Sequence, residues 1–358
     1  LHGMLGQETN GAGGIFKAFR TIPVIGQIID DMRELCPDAW LINFTNPSGM
    51  VTEAAIKKFG WKKTIGLCNV PTIAQMREPG NIGETEEELT YQFAGLNHFH
   101  WHKVTNRDGE DVTAEVLKHV NEKNGGTPVN IYQEPFPEEL LDSMKMVPCG
   151  YHRYYFMQRE MLEHSIQEFK KGGTRAEQMY QVEHELFELY AQPGLHEKPE
   201  QLGKRGGAYY SDAACECISA IYNDRHLRMT VSTENKGALP CLAPDSIVEV
   251  SSLISARGAE PIAWGEMPPA ARGWLQLMKA MEECVIEAAI TGDYGLALEA
   301  FTMNPLIESG KEGKRVLDEL LVAHEKYLPQ FEEKIQELKA AGVETDDEAV
   351  RELLRKGL

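Results

Sequence analysis

Residues 39–71 read AWLINFTNPSGMVTEAAIKKFGWKKTIGLCNVP, and this stretch decides the fold. Ala39 to Phe44 is a short, nearly continuous apolar run, the pattern of a parallel strand covered on both faces. The periodicity predicts a helix from Ser48 to Lys58, closed by Phe59-Gly60, and a second strand from Thr64 to Leu67. Strand, helix and strand in that order make a βαβ unit, so the fold class is α/β. Open sheets of this kind assemble their sites at strand carboxyl ends. Asn46 and Cys68 each follow one of the two strands and would face one crevice.

Working outward, Val24, Ile25, Ile28, Ile29, Met32 and Leu35 recur at helical spacing behind Pro23, which suits a first-turn position. A helix is therefore expected over Pro23 to Leu35, ended by Cys36-Pro37-Asp38. Ahead of it, Glu8 lies in G-Q-E-T-N-G-A-G-G, which is either a loop cradling a ligand or a flexible turn; its G-A-G-G lacks the G-x-G-x-x-G spacing of a dinucleotide fingerprint. On the other side, Tyr91 to Val104 reads as strand, and Arg107-Asp108-Gly109-Glu110 carries an Asp-Gly turn. Helices are expected at about Tyr151 to Lys170, Arg175 to Ala191, Ala208 to Tyr222, Ala270 to Ala289 and Arg315 to Ala340. A strand pair, Met229 to Ser232 and Ile247 to Ser251, interrupts them.

At 358 residues the chain exceeds the usual single-domain size, so two lobes are expected. A formal charge of −19 argues against a nucleic acid or an anionic membrane surface as partner, and any bound phosphate must be met by local Arg or Lys. Seven cysteines without regular spacing fit reduced thiols in the cytoplasm. No apolar run has the length of a membrane span, and no signal peptide is expected. The opening L-H-G-M-L-G-Q-E-T reads as the interior of a domain, so a longer parent protein is expected.

Several side chains invite two readings. Cys68 is by default a small buried hydrophobe, yet its place at a strand end beside Asn69 and Pro71 opens a role as a metal ligand. His98, in G-L-N-H-F-H-W, belongs either to an aromatic-rich strand whose alternation puts 98, 100 and 102 on one face, or to the same metal. Two ligands hold a cation weakly, and the open positions are what a catalytic site needs for water or substrate oxygens. Tyr151, with Tyr154 and Tyr155, reads as core packing from its spacing alone. Arg175 follows Gly172-Gly173-Thr174 at a helix start, a poor place for a cation unless it binds an anion; a solvated surface Arg is the other reading. Lys204-Arg205-Gly206-Gly207 is a weaker phosphate candidate, and Cys215 and Cys217 read as helix packing.

Seven strings, taken in order, resemble glycoside hydrolase family 4, the NAD- and metal-dependent glycosidases, and within it the 6-phospho-β-glucosidase group. They are G-Q-E-T-N-G-A-G-G, N-F-T-N-P-S-G, G-L-C-N-V-P, G-L-N-H, G-Y-H-R-Y-Y, G-G-T-R-A and K-R-G-G-A-Y-Y-S-D-A-A, and they cover the chain to about Pro305. The resemblance implies an incomplete Rossmann domain over residues 1–72 and an α/β substrate domain like that of lactate and malate dehydrogenases over 73–340. Residues 341–358 are left as an acidic helical tail. It implies that Cys68 and His98 hold a catalytic metal, typically Mn²⁺, that Tyr151 is the base, that Asn46, Asn69 and Arg175 bind substrate, and that Glu8 lines the site. The α-specific members carry an Asp after the metal Cys; Asn69 here favours β-linked substrates and leaves the leaving-group acid unassigned. NAD is expected as cofactor of the parent protein, but the family's glycine-rich pyrophosphate loop has no counterpart among these residues, so no cofactor-binding residue is assigned.

The implied substrate is a phosphorylated disaccharide or aryl glucoside. Direct displacement would need two carboxylates flanking the bond, and no such pair stands out. The family's route instead oxidises C3 with NAD, lets Tyr151 take the acidified C2 proton, stabilises the enediolate on the metal, eliminates at C1, adds water and returns the hydride. A tyrosine of pKa about 10 is a poor base at neutral pH, so the site is expected to lower it. Two other readings stand beside this one: a 2-hydroxy-acid dehydrogenase of the same fold, which calls for a catalytic His paired with an acid, and an inactive fragment. A homo-oligomer is expected.

Overall fold

A computed structural model of the chain describes residues 2–343 and 345, apart from 123–124, 129–130 and 206–208. The βαβ unit forms where the sequence places it, with shorter strands. Strands β1 (Leu41–Asn43) and β2 (Thr64–Gly66) pair in parallel, and between them α2 (Ser48–Glu53) runs on into a π-helical turn, Ala54–Lys58. All six residues of α2 are buried, as a crossover helix seated on its sheet requires.

Helix α1 spans Ala12–Leu35, so Pro23 lies inside it and not in its first turn. Ala12, Ile15, Phe16, Phe19 and Ile22 are buried at helical spacing, and their packing outweighs the hydrogen bond that the proline removes. G-A-G-G is thus the start of a helix. Its reason lies in the turn ahead of it: a Cβ on Gly14 would stand 2.2 Å from the Thr9 carbonyl oxygen. That close approach lets residues 7–10 fold back over the helix end, where Gln7 Oε1 accepts from the N–H groups of Thr9, Asn10 and Gly11 at 3.0, 2.6 and 3.2 Å.

Helix α3 (Val70–Asn81) leads to the first correction in the sheet. Tyr91 to Val104 is not one strand. It is a hairpin of β3 (Thr90–Leu96) and β4 (Phe99–Thr105), with Asn97 and His98 as its turn and His98 at φ 60°. His98 therefore does not share a strand face with His100 and His102. Apolar alternation continues across so tight a turn, which hides it from periodicity. The Asp108-Gly109 reversal does occur, bridging Thr105 to Asp111.

Helices α4 (Thr113–Leu117) and α5 (Glu138–Met144) precede a short strand, β5 (Val147–Pro148). The helix expected from Tyr151 to Lys170 is broken: a 3-10 turn, Gly150–His152, then α6 (Arg153–Phe156) and α7 (Gln158–Gly172). Helix α8 (Arg175–Tyr190) begins at a capping box, in which Thr174 Oγ1 accepts from Glu177 N at 3.1 Å and Glu177 Oε2 accepts from Thr174 N at 2.7 Å. A Thr174→Ala chain is expected to lose about 1 kcal/mol, seen as a lower urea midpoint by circular dichroism. An unchanged midpoint would remove the box from the stability of the fold.

Helices α9 (Gln201–Arg205) and α10 (Tyr210–Tyr222) flank residues 206–208, so most of the Lys204–Gly207 candidate falls at or outside the described part. In α10 Cys217 is fully buried and Cys215 is exposed. Strands β6 (Leu227–Glu234), β7 (Ile247–Ser255) and β8 (Gly258–Pro261) complete the sheet. The C-terminal part packs as α11 (Pro269–Thr291), α12 (Tyr294–Met303), α13 (Gly310–Ala323) and α14 (Glu332–Ala340). The single helix expected from Arg315 to Ala340 is divided around Leu328-Pro329, since a residue before proline is pushed away from helical geometry. Helices α3, α4, α5, α9 and α12 are additional to those that the periodicity predicts. The tail from 341 lies almost wholly outside the described residues.

One sheet of order β1-β2-β6-β7-β3-β4-β5, with β8 beside β7, carries these elements. The division expected at residue 72 falls within α3, and the sheet continues past it through the antiparallel pairing of Gly66 with Ser232. Following the register, Gly66, Ser232, Glu249, Gly95 and His100 stand in one row across five strands. Helices α2 and α11 lie against the sheet and α1 packs on both, with Phe16 meeting Phe301 edge-on and Phe19 meeting Phe331 at a tilt. Lys279 on α11 is buried between Glu53 and Glu282, at 2.6 and 2.7 Å. No helix among the described residues is long and apolar enough to cross a membrane.

Candidate active site

Cys68 leaves the carboxyl end of β2, and His98 sits in the β3–β4 turn. Their side chains meet: Cys68 Sγ lies 3.3 Å from His98 Nε2, and both residues are buried. With bond lengths of about 2.3 Å to sulfur and about 2.0 Å to nitrogen, two ligands of one cation stand about 3 Å apart at a right angle and about 3.5 Å apart at the tetrahedral angle. The observed separation lies between, so the pair fits a shared divalent ion. Among the described residues no set of three or more His, Cys, Asp or Glu side chains gathers around such a point. The remaining positions of a cation here would be open.

A second contact fixes the orientation of the imidazole. Its Nδ1 lies 2.6 Å from Thr9 Oγ1, in the turn that Gly14 permits, which leaves Nε2 facing the sulfur. Burial, opposed by Glu249, pushes His98 down to about 4, so the ring is neutral and its lone pair available. Burial, and after it the Glu249 charge, holds the Cys68 thiol well above its usual value. A cation entering this site would displace that proton.

Tyr151, in the 3-10 turn after β5, stacks on His98 with ring centroids 3.9 Å apart and planes 8° from parallel. Its hydroxyl donates to Glu8 Oε1 at 3.1 Å. The expectation of a lowered phenol pKa does not hold for the chain's own groups: burial, and then Glu8, raise it well above the ordinary value. Both Tyr151 and Tyr155 are buried, but only Tyr151 of the two lines the cavity.

Glu8, Asn46, Asn69, His98, Tyr151 and Arg175 all line one cavity of about 1270 Å³, with Cys68 behind His98. Asn46 follows β1, and its Oδ1 accepts from Ser48 N at 3.3 Å. Asn69 is buried at the start of α3. Arg175, on the first turn of α8, is exposed and donates to the Lys204 carbonyl at 2.9 Å. The structure therefore brings Glu8, Asn46, Cys68, Asn69, His98, Tyr151 and Arg175 to one place, while Lys204 of the Lys204–Gly207 candidate is not among the lining residues. It adds Lys17, Arg77 and Lys198 on the cavity wall, which no motif had marked. It also adds Thr9, Asn97 and Glu249 behind the wall. Thr9 and Asn97 lie inside the strings G-Q-E-T-N-G-A-G-G and G-L-N-H, and Glu249 stands out as an acid inside the apolar run I-V-E-V.

Comparison with known proteins meets this geometry. The profile of the family 4 glycosyl hydrolases matches residues 1–78, and that of the family 4 glycosyl hydrolase C-terminal domain matches residues 93–307. A probable 6-phospho-beta-glucosidase of Bacillus subtilis is 49% identical over 94% of this chain and 76% of that protein. The 6-phospho-beta-glucosidase of Escherichia coli is 42% identical over 95% and 76%. Among solved structures, the 6-phospho-beta glucosidase of Thermotoga maritima with manganese, NAD⁺ and glucose-6-phosphate superimposes with a TM-score of 0.80 at 31% identity, covering 91% of this chain and 76% of that one. Similarity of this extent, running through both halves of the sequence, makes the chain a member of the family 4 glycosyl hydrolases.

Proposed function

We propose that this chain hydrolyses 6-phospho-β-glucosides by redox elimination, with NAD and a divalent metal, Mn²⁺ above all. The observation that carries the reading is the Cys68–His98 pair with the Tyr151 ring stacked on it, facing a cavity whose wall holds Lys17, Arg77, Arg175 and Lys198. Those cations, in a chain of net charge −19, suit a substrate phosphate. Relatives named for 6-phospho-β-glucosides support the substrate class, and the Thermotoga structure supports the cofactors. Membership in a glycosidase family displaces the dehydrogenase reading.

When bound, NAD supplies a hydride acceptor, and a dication supplies the positive charge that polarises the sugar oxygens and opposes the raised pKa of the phenol. Cys68 and His98 would hold the metal. For NAD the chain offers a crevice at the carboxyl ends of the parallel β1 and β2, walled by Phe44, Thr45 and Asn69. Tyr151 is the base for the C2 proton, and Glu8 orients its hydroxyl. Asn46 and Arg175 bind the substrate, with Arg175 among the wall cations that suit its phosphate. Asn69, an amide where an acid would protonate an α-linked leaving group, supports β-linked substrates.

The assay combines the chain with NAD, Mn²⁺, a thiol and a chromogenic 6-phospho-β-glucoside. Turnover should require both cofactors, slow with deuterium at C2, and in heavy water place deuterium at C2 of the released sugar phosphate. Hydrolysis without exchange at C2 would defeat the elimination route, and a folded chain with no turnover would return the reading to an inactive fragment. All seven cysteines are free, in keeping with a reducing, cytoplasmic setting. Phe187 and Tyr190 on α8, with Ile218 and Tyr222 on α10, are exposed and support homo-oligomer formation.

A further inference from the structure

Behind the Cys68–His98 pair lies a second, fully buried group that the reaction as described does not use. Glu249, on β7, is 1% exposed and divides its carboxylate between two partners: Oε1 meets His100 Nδ1 at 2.7 Å, and Oε2 accepts from Asn97 Nδ2 at 2.9 Å. Asn97 is the residue before His98 in the hairpin turn, and its side chain also reaches the Cys68 sulfur. One amide thus ties the sulfur of one candidate ligand to a carboxylate on a neighbouring strand, while its backbone carries the other ligand.

The sheet register makes this contact possible. Gly95 stands between Glu249 and His100 in the row of paired residues, and a Cβ there would lie 2.4 Å from the Phe99 carbonyl oxygen and 2.5 Å from His100 Cα. With no side chain at Gly95, at φ 155°, Glu249 reaches across to His100 and pins both arms of the hairpin. His98 at the tip has a left-handed backbone that an unrestrained non-glycine residue rarely holds, so something must hold it.

We infer that Glu249, acting through Asn97 and His100, is a positioning residue that sets Cys68 and His98 at the spacing a divalent cation requires. The inference rests on the metal reading of that pair. Outer partners of this kind fix ligand orientation, and their loss typically weakens metal affinity about 10- to 100-fold.

The test titrates the full chain with Mn²⁺, reading free ion by electron paramagnetic resonance, for the wild type, Glu249→Gln, Asn97→Ala and Cys68→Ser. Melting curves of the metal-free proteins run alongside. Glu249→Gln and Asn97→Ala are each expected to raise the dissociation constant about 10- to 100-fold, and Cys68→Ser to raise it further than either. A role confined to packing would lower the melting temperature and leave the dissociation constant where it was, and that result overturns the inference. Should Glu249→Gln fail to fold, Glu249→Asp takes its place: it keeps the charge and shortens the reach to Asn97 and His100, and a dissociation constant equal to that of the wild type overturns the inference. A wild type that binds no Mn²⁺ sinks the metal reading itself, an outcome distinct from variants that bind as well as the wild type.

Discussion

Tyr151→Phe is expected to lower kcat for a 6-phospho-β-glucoside by about 10²- to 10⁴-fold, the range that a positioned general base contributes. The substitution removes one oxygen and keeps the ring, so the stacking on His98 at 3.9 Å and the surrounding packing should survive. What disappears is the only atom of this side chain that can carry a proton, together with its hydrogen bond to Glu8. Mn²⁺ affinity should stay near that of the wild type, and exchange of the C2 hydrogen into heavy water should fall in step with kcat. Exchange at the wild-type rate would mean that another group takes the proton. The raised phenol pKa makes this a demanding test: Tyr151 can act only when positive charge stands beside it, so its effect should vanish when Mn²⁺ is withheld from both proteins.

Cys68→Ser should be comparably damaging, by a different route. Serine matches cysteine in shape, and the site is buried, so the fold has little to repack. Its hydroxyl does not ionise near neutral pH, however, and the cation would lose its one anionic ligand from this chain, leaving His98 alone. Charge stabilisation by a bound metal is worth several kcal/mol, so a loss of about 10²- to 10³-fold in kcat/KM is expected at limiting Mn²⁺. The measurement is activity against Mn²⁺ concentration, with partial recovery at high metal. A serine chain with the wild-type curve would contradict the ligand assignment. A pair with this effect also sets apart the two readings that Cys68 invited from sequence alone, since a merely hydrophobic cysteine tolerates serine without any change in metal dependence.

Most of the local structure was legible beforehand. The 39–71 stretch announced strand, helix and strand because apolar periodicity reports which faces a segment can bury. Errors gathered where a tertiary contact overrode a local signal. Pro23 was read as a helix start, but the core buries Phe16 and Phe19 ahead of it and the helix runs through. Of the two readings that His98 invites, alternation favours a strand face, but the chain turns there.

The residue types at the site, a thiol after one strand, an imidazole among aromatics and a phenol beside a glycine, were determined by the sequence, because the donor and acceptor atoms of a side chain are fixed by its residue type. That they converge was settled only by the tertiary structure. Pairing between distant strands leaves no periodic trace, and it is the register of β2, β6, β7 and β3 that carries Gly66 and Gly95 into the row where Glu249 sits. Which groups stand behind the ligands, and the direction in which burial drives the Tyr151 phenol, follow from that convergence, since a pKa depends on what surrounds a group in space and not on its neighbours along the chain.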